Sequence, residues 1–264
     1  MITFSAFTTL HRSGYEDYGY KNISSFLDYW PNDIKYFVYT EDFSIKQNYK
    51  IKNINLKNLN DLNKFKSKNK NTPKLNGYKN TKYDFLYDFV KFAHKSYVMF
   101  HAIENLTTDW VIWLDGDSIT HTKIPVKFLE KLCPSNSFVT YLGRKKMYTE
   151  TGFLAFNRRH PKILEYVKQA KNIYDNNLIE NNSYFNEGYT DCHVFDFVRL
   201  QLEKIGVKSN NIGTNGDDKH PFINGELGKY MDHLKGPRKD RGSSKLIDLK
   251  NGSHKLHPYW QAIK

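Results

Sequence analysis

Short runs of consecutive apolar residues alternate along this chain with segments whose apolar residues recur at helical spacing. Runs over 2–9, 34–40, 49–56 and 111–114 have the length of buried strands. Helical spacing covers 20–30, where Pro31 follows, and 84–104. Further helices are predicted over 125–133, 161–174 and 191–205, with strands over 138–142 and 150–157. The alternation predicts an α/β fold with a mostly parallel sheet flanked by helices.

The apolar run 111–114 ends abruptly in two carboxylates, Asp115 and Asp117, on either side of Gly116. This position is the carboxyl edge of the predicted sheet, where open α/β folds bind ligands. Two like charges so close together repel each other, and a divalent cation with oxygen ligands is the natural way to keep both ionised. Gly116 would let the backbone approach such a ligand. An ordinary Asp-Gly turn with an incidental second Asp is the alternative interpretation.

A second motif lies near the C-terminus, where His233, Gly236 and Lys239 have the spacing H-x-x-G-x-x-K. These residue types suit a metal-bound diphosphate. His233 would be a nitrogen ligand, Gly236 would allow close backbone approach, and Lys239 would place a positive charge on phosphate oxygen. A polar surface histidine followed by a solvated turn is the competing interpretation.

Together the two motifs resemble those of the GT-A glycosyltransferases, most closely the retaining enzymes of the glycogenin and bacterial galactosyltransferase type. The segments 148–157 and 189–193 are similar to two segments that lie between the motifs in that group. The sequence departs from its pattern in three places: Glu150 replaces a usual Asn, Cys192 replaces a common Gln, and Asp-Arg follows Lys239 in place of Pro-Trp. The resemblance implies a Rossmann-like GT-A fold and a nucleotide-diphosphate sugar, most often a UDP-sugar, as donor.

The resemblance also implies roles for individual residues. Mn²⁺ or Mg²⁺ would be held by Asp115, Asp117 and His233, with His257 as the alternative ligand should His233 point elsewhere. The donor would be bound by a set of residues from both halves of the chain: Thr8, Thr9, Lys95, Asp115, Gly236 and Lys239. Lys95 is alternatively an exposed helix lysine.

The chemistry expected from the resemblance is sugar transfer to an acceptor hydroxyl with retention of anomeric configuration. Glu150 and Asp191 are the candidate catalytic carboxylates, either positioning the acceptor or supporting an oxocarbenium-like transition state. The spacing does not choose between them. Asp191 also begins a predicted helix, so an ordinary N-cap is an equally good explanation of that residue.

The length of 264 residues and the absence of a linker favour one domain over 1–264. Residues 1–117 would form the nucleotide-sugar half, and 118–264 the acceptor half with the C-terminal metal and diphosphate loop. The segment 57–82 is rich in Lys and Asn and poor in apolar residues, so it is expected to bury little surface. It is expected to be a mobile surface segment or a weak helix, and the alternative is a basic flap that holds a phosphate backbone near the site.

The formal net charge of +12 permits a polyanionic partner such as nucleic acid, although the abundance of Lys, Asn, Ile and Tyr is also what an A/T-rich coding sequence produces. The phrases YTETGF and MDHLKGPRK resemble those of glycosyltransferase-like proteins of tailed phages. That resemblance implies a hydroxymethylated pyrimidine in DNA as acceptor, flipped out and stacked on Tyr148 or Phe153. A cell-surface glycan or lipid-linked saccharide, a non-catalytic nucleic-acid-binding protein and a metal-dependent nuclease are the alternatives.

The location of the protein is expected to be cytoplasmic, in its own or a host cell. No apolar run approaches the length of a membrane span, the N-terminus lacks the features of a secretory signal, and the two cysteines suggest a reducing compartment. Nothing in the sequence indicates an obligate protein partner.

Overall fold

A seven-stranded sheet forms the centre of the computed structural model, which describes residues 2–79, 81–213 and 220–263. The strands are, in chain order, Phe4–Leu10 (β1), Lys35–Thr40 (β2), Ile51–Asn55 (β3), Tyr78–Lys79 (β4), Lys82–Tyr83 (β5), Trp110–Leu114 (β6), Ser118–Thr120 (β7), Val139–Arg144 (β8), Met147–Asn157 (β9), Asn210–Asn211 (β10) and Met231–His233 (β11).

The order of strands in the large sheet is β10-β8-β9-β6-β1-β2-β3. Strand β9 is antiparallel to both of its neighbours, whereas the other neighbouring pairs are parallel. The prediction of a mostly parallel sheet is therefore confirmed. Two small antiparallel pairs complete the strands, β4 with β5 and β7 with β11.

Helices cover both faces of the sheet, as predicted. They are Arg12–Gly14 (α1), Tyr20–Tyr29 (α2), Asn60–Asn69 (α3), Phe89–Asn105 (α4), Val126–Leu132 (α5), Ile163–Asp175 (α6), Asp191–Lys204 (α7), Pro221–Asn224 (α8), Arg238–Arg241 (α9) and Pro258–Gln261 (α10). Single 3-10 turns and one π-helical turn, Tyr15–Gly19, connect them.

The sheet separates two hydrophobic layers. One layer packs α3, α4, α6 and α7 against one face of the sheet, and the other packs α2, α5 and the C-terminal segment against the opposite face. Strand β6 is buried along its whole length because it contributes alternate side chains to both layers, Val111 and Trp113 to the first and Ile112 and Leu114 to the second. Burial on both faces of the sheet explains why the apolar run in the sequence is continuous.

The helix predicted from residue 84 begins later than expected. The side chain of Asp84 caps a 3-10 turn, Phe85–Tyr87, and the side chain of Asp88 accepts a hydrogen bond from the backbone N–H of Lys91 at the start of α4. Two Asx caps four residues apart thus divide one predicted helix into a turn and a helix. No helix within the described ranges is long and apolar enough to cross a membrane.

The Lys- and Asn-rich segment 57–82 buries more than its composition suggested. Its described part contains α3, from which Leu62 and Phe65 enter the first hydrophobic layer, and Leu75 follows them. The ring of Phe65 lies 5.5 Å from those of Phe89 and Tyr97, centroid to centroid. The expectation of little burial was wrong because a few well-spaced apolar residues are enough to anchor a helix whose other faces are charged.

Replacement of Phe65 tests this packing. Phe65→Ala is expected to lower the free energy of unfolding by about 3 to 5 kcal/mol, because it removes a buried ring and leaves a cavity. Lys64→Ala, on the exposed face of the same helix, is the matched control and is expected to change it by less than about 0.5 kcal/mol. Urea denaturation of both variants measures the difference. A loss in Phe65→Ala no larger than the control's would contradict the packing described here.

Candidate metal and donor site

Polar side chains gather where β6 ends beside β9. The backbone N–H of Asp115 donates to the carbonyl of Gly152 at 2.9 Å, which extends the β6–β9 pairing by one residue beyond Leu114. Because β9 is antiparallel, its first half lies at the edge where β6 ends. Asp115 and Asp117 therefore come close to Glu150 and Thr151, residues that are remote from them in sequence.

His233 reaches the two aspartates through a short backbone pairing. Strands β7 and β11 are antiparallel, with His233 opposite Ser118, and the N–H of Leu234 donates to the carbonyl of Asp117 at 2.9 Å. The His233 Nε2 atom lies 3.1 Å from Oδ1 of Asp117 and 3.5 Å from Oδ2 of Asp115. Both sequence motifs thus converge on one point.

The His233 ring occupies a closely fitted position. It packs directly on Gly152, where an added Cβ would lie 2.6 Å from His233 Cε1, and its centroid is 5.0 Å from that of Phe222. The preceding residue, Asp232, is fully buried and accepts hydrogen bonds from the backbone N–H of His233 and from Ser244 and Tyr259. These bonds fix β11 and, with it, the direction of the imidazole.

Asp115 is held by two donors at the same oxygen. Lys95 Nζ and the indole Nε1 of Trp113 lie 2.7 and 2.8 Å from its Oδ1. Burial alone would raise the pKa of Asp115, but the charge of Lys95 and the hydrogen bond from His233 hold this pKa well below its usual range. The carboxylate is therefore ionised, and its Oδ2 faces His233.

Asp117 is paired with two cationic groups from the C-terminal region. Its Oδ1 faces His233, and its Oδ2 lies 3.1 Å from Lys239 Nζ, which rests over the ring of Tyr18. Burial opposes ionisation, yet the charge of His233 outweighs it and lowers the pKa of Asp117. Lys239 keeps its charge, because Asp117 raises the lysine pKa more than burial lowers it.

The charge state of His233 depends on what lies between the carboxylates. Burial favours neutral imidazole, but the charge of Asp117 and the hydrogen bonds to both aspartates raise the pKa of His233 to about 10. Without a metal ion the ring is therefore protonated at neutral pH. A divalent cation bound at Nε2 would take the place of that proton.

The donor set fits a divalent cation. Ligand atoms of Asp115, Asp117 and His233 all lie within 4.8 Å of one another, and each side chain offers one ligand atom. Two carboxylates and an imidazole form the mixed oxygen and nitrogen set that Mn²⁺ and Mg²⁺ sites use. The His233 side chain is buried, whereas those of Asp115 and Asp117 are 25% and 12% exposed. The arrangement agrees with the prediction from sequence that these three residues meet at one point.

Two cavities meet at the site. The first, about 400 Å³, is lined by Asp115, Asp117, His233 and Gly236 and by several lysines: Lys91, Lys95, Lys235 and Lys239. The second, about 690 Å³, is lined by polar and aromatic groups that include Tyr148, Tyr184 and Arg144. The residues common to both cavities are Phe92, Glu150, Thr151, Asp191 and Lys235.

Both candidate catalytic carboxylates lie at this junction. Asp191 is the first residue of α7, and its Oδ2 lies 3.0 Å from Lys95 Nζ; Thr190, not Asp191, occupies the N-cap position. The two aspartates raise the pKa of Lys95 although burial opposes this, so Lys95 remains charged between Asp115 and Asp191. Lys95, whose side chain is 13% exposed, thus bridges the two aspartates and is not the exposed helix lysine of the alternative interpretation.

The remaining predicted site residues divide into two groups. Thr9 lines the first cavity, whereas Thr8 is fully buried and absent from that lining, because successive strand residues point to opposite faces. His257 lies beside Thr122 and His121, apart from the carboxylates. Gly116 lines the cavity, but its lack of a side chain also has a packing cause, since a Cβ there would lie 2.4 Å from Leu10 Cδ2.

Two contributors were not predicted from sequence. Trp113 donates to Asp115, and Lys235 Nζ lies 2.7 Å from Oε2 of Glu150. Trp113 lies two residues before Asp115 at the end of β6, and an i, i+2 relation in extended chain places side chains on the same face. That spacing is the signal by which Trp113 could have been found. Lys235 follows a tight turn after β11, in which its N–H donates to the carbonyl of His233 at 2.8 Å, so no strand pattern indicated its partner.

Comparison with known proteins identifies the class of fold. No protein-family model and no curated protein sequence matches the chain. Among solved structures, the chain is similar to the bifunctional glycosyltransferase WbbM, at 10% identity and a TM-score of 0.51 over 89% of this chain and 46% of that one. It is also similar to a glycosyltransferase involved in glycosylation of the major capsid of PBCV-1, at 13% identity and a TM-score of 0.50 over 90% and 98%.

A weaker likeness, with a TM-score of 0.48, is to mouse xyloside xylosyltransferase 1, at 11% identity over 80% of this chain and 85% of that one. The chain spans about half the length of WbbM. Its structural neighbours are GT-A glycosyltransferases, and the chain has their fold, with an Asp-x-Asp and histidine cluster that can hold a metal ion.

Gly152 offers a direct test of how the imidazole is placed. Gly152→Ala would put a methyl group against His233, so the ring must move away from Asp117, and Mn²⁺ affinity is expected to fall by about tenfold or more. The matched control is Gly252→Ala, because a Cβ at Gly252 meets open space. Isothermal titration of both variants with Mn²⁺ measures the effect. Equal affinities would show that contact with Gly152 does not position His233.

Proposed function

We propose that this protein is a metal-dependent glycosyltransferase that moves a sugar from a nucleotide-diphosphate sugar, preferably a UDP-sugar, to an acceptor hydroxyl. The observation that carries the proposal is the position of the Asp115, Asp117 and His233 cluster at a lysine-rich cavity that adjoins a second cavity. The first cavity suits an anionic donor, and the second leaves room for an acceptor. Glu150 and Asp191 lie between them, where the transferred sugar would be.

The chain's own residues would supply donor binding. A bound Mn²⁺ or Mg²⁺ would offset the negative charge that gathers on the departing diphosphate. Lys239, now 3.1 Å from Asp117, is free to exchange that partner for a phosphate oxygen once the aspartate binds a cation. Gly236 has a positive φ of 62° and open space around it, so its backbone can lie directly against the diphosphate.

Residues at the junction would act on the sugar. Lys95 holds Asp191 at 3.0 Å and Asp115 at 2.7 Å, which fixes one carboxylate at the sugar relative to one at the metal. An ionised carboxylate there can position the acceptor or stabilise positive charge on the anomeric carbon. We propose retention of configuration, as the resemblance in sequence implies. NMR of the product reports the anomer, and an inverted product would refute retention alone.

The proposed acceptor is a hydroxymethylated pyrimidine in DNA. Tyr148 lines the second cavity, and Arg144 and Lys146 lie at its side, a combination of ring and positive charge that suits a flipped nucleotide. Phe153, the other ring considered for stacking, is buried in the second hydrophobic layer and is unsuited to that role. A glycan or lipid-linked saccharide is the competing acceptor, since aromatic rings also stack on sugars.

Donor hydrolysis tests the enzyme class without knowledge of the acceptor. The protein is incubated with a panel of nucleotide sugars with and without Mn²⁺, and release of nucleoside diphosphate is measured. Slow, Mn²⁺-dependent release from one donor is expected, and Asp117→Asn should reduce it by a factor on the order of 10² to 10³. Asp33→Asn, an exposed aspartate, is the matched control. No release from any donor would favour a non-catalytic binding protein, and cleavage of DNA without a donor would favour a nuclease.

The acceptor is tested by mass spectrometry. Hydroxymethylated DNA, plain DNA and a set of saccharides are incubated separately with the protein, Mn²⁺ and mixed nucleotide sugars. The expected result is a hexose or pentose increment on the hydroxymethylated nucleoside only, and Tyr148→Ala should weaken it. An increment on a saccharide and none on DNA would overturn the choice of acceptor while leaving the transferase class in place.

A further inference from the structure

The two ring nitrogens of His233 face different groups. Nε2 faces Asp117 and Asp115, the side where a cation would bind. Nδ1 is fully buried, makes no hydrogen bond to the described residues, and lies 3.7 Å from Oε1 of Glu150. An imidazole that binds a metal through one nitrogen carries a proton on the other, and that proton needs an acceptor.

Glu150 presents its two oxygens to different partners. Lys235 Nζ and Arg144 Nη1 lie 2.7 and 3.7 Å from Oε2, so both cations are on one side of the carboxylate. Oε1 is left toward the His233 ring. The side chain is only 4% exposed, and its position on β9 two residues before Gly152 puts it on the strand that supports the imidazole.

Packing limits how the ring can respond to a metal ion. Gly152 lies under the ring and Phe222 beside it, so His233 has little room to turn without losing one of these contacts. A shift of about half an ångström would bring Nδ1 and Oε1 within hydrogen-bond distance, since the usual range extends to about 3.2 Å. When a cation binds Nε2, the carboxylate of Glu150 need not move further than this to accept the Nδ1 proton.

We propose that Glu150 is a positioning residue for the metal site, with Oε1 accepting the Nδ1–H of His233 when Nε2 binds a divalent cation. In this role Glu150 fixes the tautomer and direction of the imidazole and makes it a better ligand. Asp191 is then the carboxylate left to contact the transferred sugar. The inference rests on the metal site of the proposed function and is independent of the transfer reaction.

Metal affinity in the absence of any nucleotide sugar tests this role. Mn²⁺ is titrated into the full chain, and free Mn²⁺ is measured by EPR. Glu150→Ala is expected to raise the Mn²⁺ dissociation constant by about 10- to 100-fold. Asp109→Asn, which also removes a buried negative charge but lies before the start of β6, at the opposite end of that strand from Asp115, is the matched control and should change it far less. Circular dichroism in EDTA shows whether both variants fold.

The proposal would be overturned if Glu150→Ala bound Mn²⁺ as tightly as the unaltered protein. It would also be overturned if both variants lost the same Mn²⁺ affinity, because the effect would then come from net charge alone. Should Glu150→Ala not fold, the unaltered protein loaded with Zn²⁺ and labelled with ¹⁵N-histidine provides a second test. NMR is expected to show His233 protonated at Nδ1 in a hydrogen bond, and a proton at Nε2 would refute the role. If the Mn²⁺ and NMR results were as expected but the protein transferred no sugar, only the proposed function would be contradicted.

Discussion

The pairing of β7 with β11 is the constraint on which the candidate site depends. It joins three residues directly after the Asp-x-Asp segment to three near the C-terminus, with His233 opposite Ser118. Without it the imidazole has no fixed relation to the carboxylates, because the large sheet contains neither strand. The pairing is short, and Asp232, a fully buried residue of β11, ties it to the C-terminal segment by accepting hydrogen bonds from Ser244 and Tyr259. The last part of the chain therefore positions the candidate metal site as well as contributing to the core.

Balanced charge is the second property of this site. Asp115, Asp117, Glu150 and Asp191 are matched by cationic side chains that reach them from α4 and from the segment after β11. So many buried carboxylates can remain ionised only with partners of opposite charge. Under the proposed function, the same cations would become available to phosphate when a metal ion takes over part of their role. The lysines that pair with the carboxylates would thus also bind the donor under the proposed function.

Sequence predicted the parts of the fold in which one local pattern dominates. The β6 run, followed at once by Asp115 and Asp117, indicated both the strand and the edge where it ends. The burial of α3 was underestimated, because Phe65 is buried by rings from α4 and α6 and no local sequence pattern reveals those contacts. Thr8 was assigned to the donor site along with Thr9 because the face of a central strand cannot be read from a continuous apolar run. Lys235 was missed because its partner, Glu150, lies on β9, 85 residues away in sequence. Trp113 was missed because it was interpreted only as part of the buried strand, although its partner, Asp115, is two residues away.

Convergence of two carboxylates and one imidazole on a single cation is tested most directly by anomalous diffraction from crystals of the protein soaked in Mn²⁺. The structure predicts one strong manganese peak coordinated by oxygens of Asp115 and Asp117 and by Nε2 of His233. With the ion bound, Lys239 should no longer lie against Asp117. A peak at some other cluster of side chains, or no peak while Lys239 remains paired with Asp117 at saturating Mn²⁺, would contradict the metal site and the chemistry built on it.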